Sequence, residues 1–192
     1  GARLVAGEFV SRDLEAAALV DGKTKKAVQE ILSRSADRKA WLVFCCGIKH
    51  AEVVATELQN NGVNVATVFG DTDKADRSLV VERFKRGDLS CIVNVNVLTT
   101  GFDAPHVDLI AVLRPTCSPG LFVQMAGRGF RLAQGKSDCL LLDFGGNFAL
   151  NIVEWSITSQ TKEVAGFDGA IFGGGNEFFK GWGESDVAHA TR

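Results

Sequence analysis

Residues 41–70 read WLVFCCGIKHAEVVATELQNNGVNVATVFG. Trp41–Cys45 is an unbroken apolar run. Ile48–Asn60 follows, with Ala51, Val54, Ala55 and Leu58 at the spacing of one helix face. Asn61-Gly62 is a helix stop, because both residues tolerate the left-handed backbone that ends a helix. Val63–Val68 is a second apolar run. Strand, helix and strand therefore succeed one another with short joints. The strands are apolar throughout rather than alternating, so both of their faces are expected to be covered.

The same alternation continues outward. Asp73 opens a helix to Arg86, with Asp76 three residues on as a capping box and Gly87 as the stop. Ser90–Val95 and Val107–Leu113 read as strands. Pro119 starts a helix that ends near Gly127 or Gly129, and Asp138–Phe144 reads as the last strand. Upstream, Asp21-Gly22-Lys23-Thr24 opens a helical pattern with Ala27, Val28, Ile31 and Leu32 on one face. Asp13–Leu19 can form a short helix, and Gly1–Val20 carries no clear strand. The expected class is α/β, with a mostly parallel sheet between helices. Ligands of such sheets bind beyond the carboxyl ends of the strands, so residues just after strands are the first to search.

The 192 residues are 46% apolar and 23% charged, as in a globular protein. No apolar run approaches the ~18 residues of a membrane span, so no membrane partner is expected, and a cytoplasmic location is. The formal net charge of −2 excludes a strongly basic coat, so any nucleic acid must meet a local patch. The five cysteines form no CxxC pair, and Cys45, Cys91 and Cys139 sit inside apolar runs. They read as reduced core thiols, and the vicinal Cys45-Cys46 pair as packing rather than redox chemistry. Past Asn151 the character shifts. Nine of the 21 glycines lie in 145–183, and 154–192 carries six acidic against three basic residues. That stretch reads as an add-on, a linker or a partly disordered tail.

Three stretches invite chemistry. Gly22-Lys23-Thr24 ends like a phosphate-binding loop, but the pattern needs a glycine where Ala17 stands and a strand before it. Gln124–Arg131 reads QMAGRGFR, with two arginines three apart at a helix end and no acidic residue as far as Lys136. A guanidinium fork suits phosphate oxygens, although a solvated basic helix end would look the same. Asn94–Pro105 reads NVNVLTTGFDAP and follows a buried strand, with hydroxyls, a glycine and one carboxylate. A plain strand-to-strand connection, with Asp103 capping a turn, is the other reading.

Together these stretches resemble the second RecA-like domain of a superfamily-two helicase. Gln124–Arg131 is similar to the family's QxxGRxxR motif, and 96–105 to its motif around TxGxDxP. Trp41–Ala51 resembles the strand and turn that open this domain. Val68–Arg77 resembles the segment in which an arginine lies seven residues after a glycine. The similarity covers about Asp21 to Asn151. LLDFGGN at 141–147, with NVNVLTTGFDAP, most resembles bacterial RadD-like repair helicases and type III restriction-enzyme helicase subunits.

The resemblance implies a RecA-like three-layer sandwich over residues 21–151. Residues 1–20 would be a linker from a first motor domain outside this chain, and 152–192 a Gly-rich acidic extension. Arg128 and Arg131 would reach ATP phosphates held with Mg2+ mainly by that first domain, with Arg131 as the arginine finger and Gln124 bridging the cleft. Gly101, Asp103, Thr100 and Gly127 would lie beside the nucleotide. Gly47, Gly70, Arg77, Asn96 and Thr99 would meet a nucleic-acid strand, single or double, DNA favoured over RNA. At Gly47 many relatives carry Ser or Thr, so only a backbone N–H remains for a phosphate here. His50 reads as a helix-surface histidine. The implied activity is ATP-driven unwinding or translocation in DNA repair, with this chain alone inactive. The rivals are a docking module of helicase descent that has lost catalysis, and a stand-alone α/β enzyme such as a nucleotide-sugar transferase, for which no catalytic set is visible.

Overall fold

The computed structural model describes residues 2–20, 22–97, 102–148 and 186–191. At its centre is β3 (Trp41–Phe44), flanked in parallel by β5 (Cys91–Asn94) and β6 (Leu109–Val112). β4 (Val65–Val68) pairs with β5, and β7 (Asp138–Asp143) with β6, both in parallel. Residues Asp186–Thr191 form β8, which runs antiparallel beside β7. The sheet order is β4-β5-β3-β6-β7-β8. Asp138–Phe144 is therefore not the last strand.

Successive strand residues face opposite sides, and each side has its own helices. Trp41, Val43, Cys91, Val93, Leu109 and Ala111 pack under α2 (Lys23–Arg34) and α3 (Ile48–Asn60). Leu42, Phe44, Ile92, Ile110 and Val112 pack under α4 (Lys74–Lys85) and α5 (Pro119–Ala126), around the fully buried Phe84 and Phe122. This is the three-layer RecA-like arrangement. It explains why the runs are apolar throughout. Burial of each large core side chain contributes about 1.5–3 kcal/mol.

Local chemistry sets the ends of the elements. Asp73 accepts from Ala75 N at 2.7 Å and caps α4. Ser118 accepts from Leu121 N at 3.3 Å and caps α5, with Pro119 in the first helical turn. At the amino edge of the sheet, the Asp108 carboxylate accepts from the backbone N–H groups of Lys39 and Ala40 at 2.9–3.1 Å. Beside it Arg38 grips Asp138 with two bonds, at 2.7 and 3.1 Å. These contacts align the starts of β3, β6 and β7.

The N-terminal residues are structured. β1 (Leu4–Val5) and β2 (Glu8–Phe9) form a small antiparallel hairpin before α1 (Ser11–Ala18). Ala6 and Gly7 both have positive φ, 50° and 81°, as a two-residue hairpin turn requires. α1 buries Leu14 and Ala18 against Cys46. Gly22, at φ 66°, then starts α2 directly after the α1 segment, and Thr24 donates to Ala18 O at 2.8 Å. A helix, not a strand, directly precedes this Gly-Lys-Thr, and its hydroxyl is spent on a helix joint.

Candidate functional site

α5 begins at the carboxyl end of β6 and runs back across the sheet, so its C-terminal turn lies toward the amino edge. Gly127 closes the helix, donating to Val123 O at 2.8 Å. The next turn is pressed onto the sheet at Gly129. A Cβ there would lie 2.2 Å from Cys139 Sγ and 3.0 Å from Ile110 Cδ1. Glycine is required for this close approach.

That contact sends the two arginines different ways. Arg128 turns inward, is 9% exposed and donates from Nη1 to Phe102 O at 2.7 Å. Desolvation, then the charge of Arg131, lowers its pKa. Arg131 points outward. Its Nη1 meets Asp103 Oδ1 at 2.7 Å, and the two side chains are 42% and 73% exposed. Phe102 O is a long second partner at 3.5 Å. Gln124 is exposed on α5. The segment that leaves β5 at the carboxyl edge thus reappears at Phe102 beside the arginines, before β6 begins. Arg128, Arg131, Asp103 and Gly127 come together, but not just after a strand. The partner that Arg131 lacks in its own stretch comes from 28 residues away.

The other candidates occupy the carboxyl edge. Gly47 follows β3, Gly70 follows β4 and Asn96 follows β5. Asn96 is exposed, with φ 57°. Arg77 folds back from α4 and donates to Phe69 O, Gly70 O and Thr72 O at 3.2–3.3 Å, so it holds the Gly70 turn in shape. Thr99, Thr100 and Gly101 lie outside the described residues. The two sets of candidates therefore sit at opposite ends of the strands.

Four features had no signal in the sequence. Glu15 of α1 lies over the Gly47 turn, where a Cβ on Gly47 would be 2.4 Å from its Oε1, and it accepts from His50 N at 3.2 Å. His50 is consequently buried, not on the surface. Its Nδ1 accepts from Cys46 N at 3.4 Å, and burial pushes its pKa down to about 4. Glu8 of β2 accepts from Thr116 Oγ1 at 2.6 Å and from Cys117 N at 3.2 Å, 108 or more residues away. Asp143, at the end of β7, accepts from Gly145 N, Asn147 Nδ2 and Phe148 N at 2.7–3.0 Å, while Asn147 accepts from Thr116 N at 2.8 Å. The cysteines conform to the packing expectation: Cys45 and Cys46 are buried, and desolvation raises the Cys46 thiol to about 12. Among the described residues no three His, Cys, Asp or Glu side chains converge in a way that could hold a metal.

Residues 22–133 match the helicase conserved C-terminal domain. The chain belongs to this helicase family. The helicase domain is 38% identical over 128 residues to the Schizosaccharomyces pombe protein named as a mitochondrial ATP-dependent helicase, irc3, covering 65% of this chain and 21% of that one. It is 34% identical over 115 residues to the Saccharomyces cerevisiae protein named as an ATP-dependent helicase, IRC3, covering 60% and 17%. It is 27% identical over 122 residues to UvrABC system protein B of Mycoplasma genitalium, covering 60% and 18%. The chain thus spans about a fifth of the length of these curated relatives. Among solved structures, the C-terminal domain of the DEAD-box protein Dbp5 superposes with a TM-score of 0.58 at 18% identity, covering 73% of this chain and 81% of that one. The Escherichia coli DEAD-box protein SrmB superposes with a TM-score of 0.52 at 20% identity, covering 60% and 66%. These two show the shared fold alone.

Proposed function

We propose that this helicase domain is the second half of an ATP-driven motor on nucleic acid. A first RecA-like domain elsewhere in the protein would hold ATP and Mg2+, and residues 1–20 would be the linker leading back to it. The single observation that carries the proposal is the placing of the arginines. Arg128 is buried and fixed on Phe102 O, whereas Arg131 is half-exposed and held by a solvent-facing pair with Asp103. An exposed ion pair is worth only ~0–1 kcal/mol, so an anionic phosphate can take Arg131 from it.

The residues present fit the phosphate side of such a site and not its metal. They offer guanidinium groups, and no carboxylate cluster lies among the described residues. Bound ATP supplies the transferable phosphoryl group. Arg131 would swing from Asp103 to the phosphate oxygens and oppose the charge that shifts during transfer. Arg128 would hold the turn at its correct depth, and Gln124, exposed one turn earlier, would bridge the cleft. Gly127 and Asp103 line the same place; Thr100 and Gly101, outside the described residues, are proposed to contact the nucleotide as well. At the carboxyl edge, Gly47, Gly70, Arg77 and Asn96 are proposed to meet the strand backbone, and Thr99, outside the described residues, is proposed to join them, which implies sequence-tolerant binding. The strand is proposed to be DNA, acted on in repair, on the strength of the sequence resemblance.

The test is Arg131→Ala in the full-length protein. Turnover is expected to fall at least ~100-fold, and ATP affinity to change less than ~10-fold, because an arginine finger contributes on the order of 10³–10⁵ in rate. Near-wild-type turnover in both Arg131→Ala and Arg128→Ala would leave a docking module of helicase descent. Stimulation by DNA and RNA strands of one sequence, compared side by side, decides the strand type; equal or greater stimulation by RNA overturns the DNA assignment.

A further inference from the structure

Lys136 belongs to none of the helicase motifs above. It sits in the short connection between α5 and β7. Its ammonium donates to Pro105 O at 3.2 Å, to Arg131 O at 3.0 Å and to Gly129 O. Two of these carbonyls come from the turn that carries the arginines. The third closes the Phe102–Pro105 segment, which supplies Phe102 O to Arg128 and Asp103 to Arg131. Three carbonyl dipoles from two separate segments thus meet at one cation.

The chemistry at that point is selective. A tetrahedral ammonium has three donors that radiate from one atom, whereas a guanidinium presents a flat fork. Bonds from a charged donor are the stronger kind, and partly buried carbonyls that lose their donor are costly. Lys136 is partly buried, which lowers its pKa, and the charges of Asp108 and Asp138 oppose that shift. Up to Gly129 the turn is held by Gly127 N on Val123 O at 2.8 Å, Gly129 N on Ala126 O at 3.0 Å and Arg128 on Phe102 O, but the next backbone bond toward Arg131 is weaker. The Phe130 N to Gly127 O bond is long, at 3.4 Å.

We propose that Lys136 is a positioning residue for the ATPase reaction. It fixes the main chain of Arg131 against Pro105, and so sets where the Arg131 guanidinium can reach. The proposal rests on the assignment of Arg131 to the ATP phosphate. The side chain of Arg131 is held at its tip, by an exposed pair with Asp103 and a long bond to Phe102 O, so the location of its backbone decides its reach. A misplacement of about 1 Å at a reacting group can cost on the order of 100-fold in rate.

The experiment is steady-state ATPase kinetics on the full-length protein with strand present, for Lys136→Met, Lys136→Arg, Arg131→Ala and the double variant Lys136→Met/Arg131→Ala. Lys136→Met is expected to lower kcat at least ~10-fold with KM for ATP changed less than ~3-fold, because Lys136 does not itself touch ATP. Lys136→Arg should restore less than half of the loss, since the fork cannot meet all three carbonyls. In the Arg131→Ala background, Lys136→Met should lower kcat no further. A role in stability alone predicts an additional loss there and near-complete rescue by arginine, and either result overturns the proposal. So does wild-type kcat in Lys136→Met. If Lys136→Met does not fold, the milder Lys136→Arg carries the test, and wild-type kcat in that folded variant overturns the proposal equally. If Arg131→Ala itself keeps wild-type turnover, Arg131 is not the catalytic arginine, and Lys136 has no such role. If Arg131→Ala is inactive and Lys136→Met is normal, only the role of Lys136 is lost.

Discussion

Arg131 and Gly129 lie two residues apart and answer to different forces. The Arg131–Asp103 pair is exposed, so Asp103→Asn should change unfolding free energy by less than about 0.5 kcal/mol in a urea titration. Gly129 has no such latitude. Gly129→Ala places a methyl carbon inside contact distance of Cys139 and Ile110 and should cost about 1–3 kcal/mol. Cys139→Ala removes the nearer obstacle, so the double variant should recover part of that loss. Additive losses in a double-variant cycle would show that the two do not share the space. His50 is a third case. Its folded pKa of about 4 lies below the ordinary 6.5, so the unfolded chain binds more protons between those values. Stability is complete above about pH 6.5 and declines as pH falls toward 4, by on the order of 3 kcal/mol. Denaturation midpoints of wild type and His50→Gln across pH 4–7 check this; the variant's profile should lose that slope.

At the scale of the element, α5 was legible from its first residues. Ser118-Pro119 is a cap followed by the residue best suited to the first turn, and the structure uses it so. Asp73 likewise marks the start of α4. The β1–β2 hairpin was not legible. Its strands are two residues long, and its turn rests on Ala6 in a left-handed conformation that alanine seldom adopts. Arg3 ties this hairpin to Asp13 of α1, and Glu8, gripped by Thr116 and Cys117, ties it to the connection after β6. Burial pushes the Glu8 carboxyl up, but hydrogen bonds from Thr116, Phe9 and Cys117, with the charge of Arg114, outweigh it and leave the pKa below 4.5. The contact is therefore present above that range and lost as pH falls through it. Glu8→Ala should free the arm, speeding amide hydrogen exchange of residues 3–10 at least ~10-fold while the central strands keep their protection. Unchanged exchange in the arm would mean that α1 alone holds it.

For the whole molecule, the layers followed from the apolar runs, because strands covered on both faces admit few sequences and few arrangements. The candidate residues were visible as motifs, but their grouping was not. Asp103 and Arg131 stand 28 residues apart, and only the return of α5 across the sheet brings them together. The burial of His50 depends on α1, which no local pattern connects to α3. Net charge also acts at this scale. At −2, and with only the two or three phosphate contacts proposed at the carboxyl edge, binding of a single strand by this chain should be weak. Its log–log salt dependence should have a slope of about −2. A tight, salt-insensitive complex in a fluorescence titration would require stacking or base contacts instead.

The arginines and the turns at Gly47, Gly70 and Asn96 occupy opposite ends of β-strands only four residues long. At about 3.3 Å per residue, the two ends are on the order of 13 Å apart. A close-packed sheet between two helical layers has too little free volume to bend gradually over that distance. Motion imposed at the arginine end must then arrive at the other end undiminished, as rotation of a stiff block. On the proposed motor reading the block would act like the tooth of a ratchet: its stroke would be fixed by the pivot on which it turns, and its own interior would absorb none of the work.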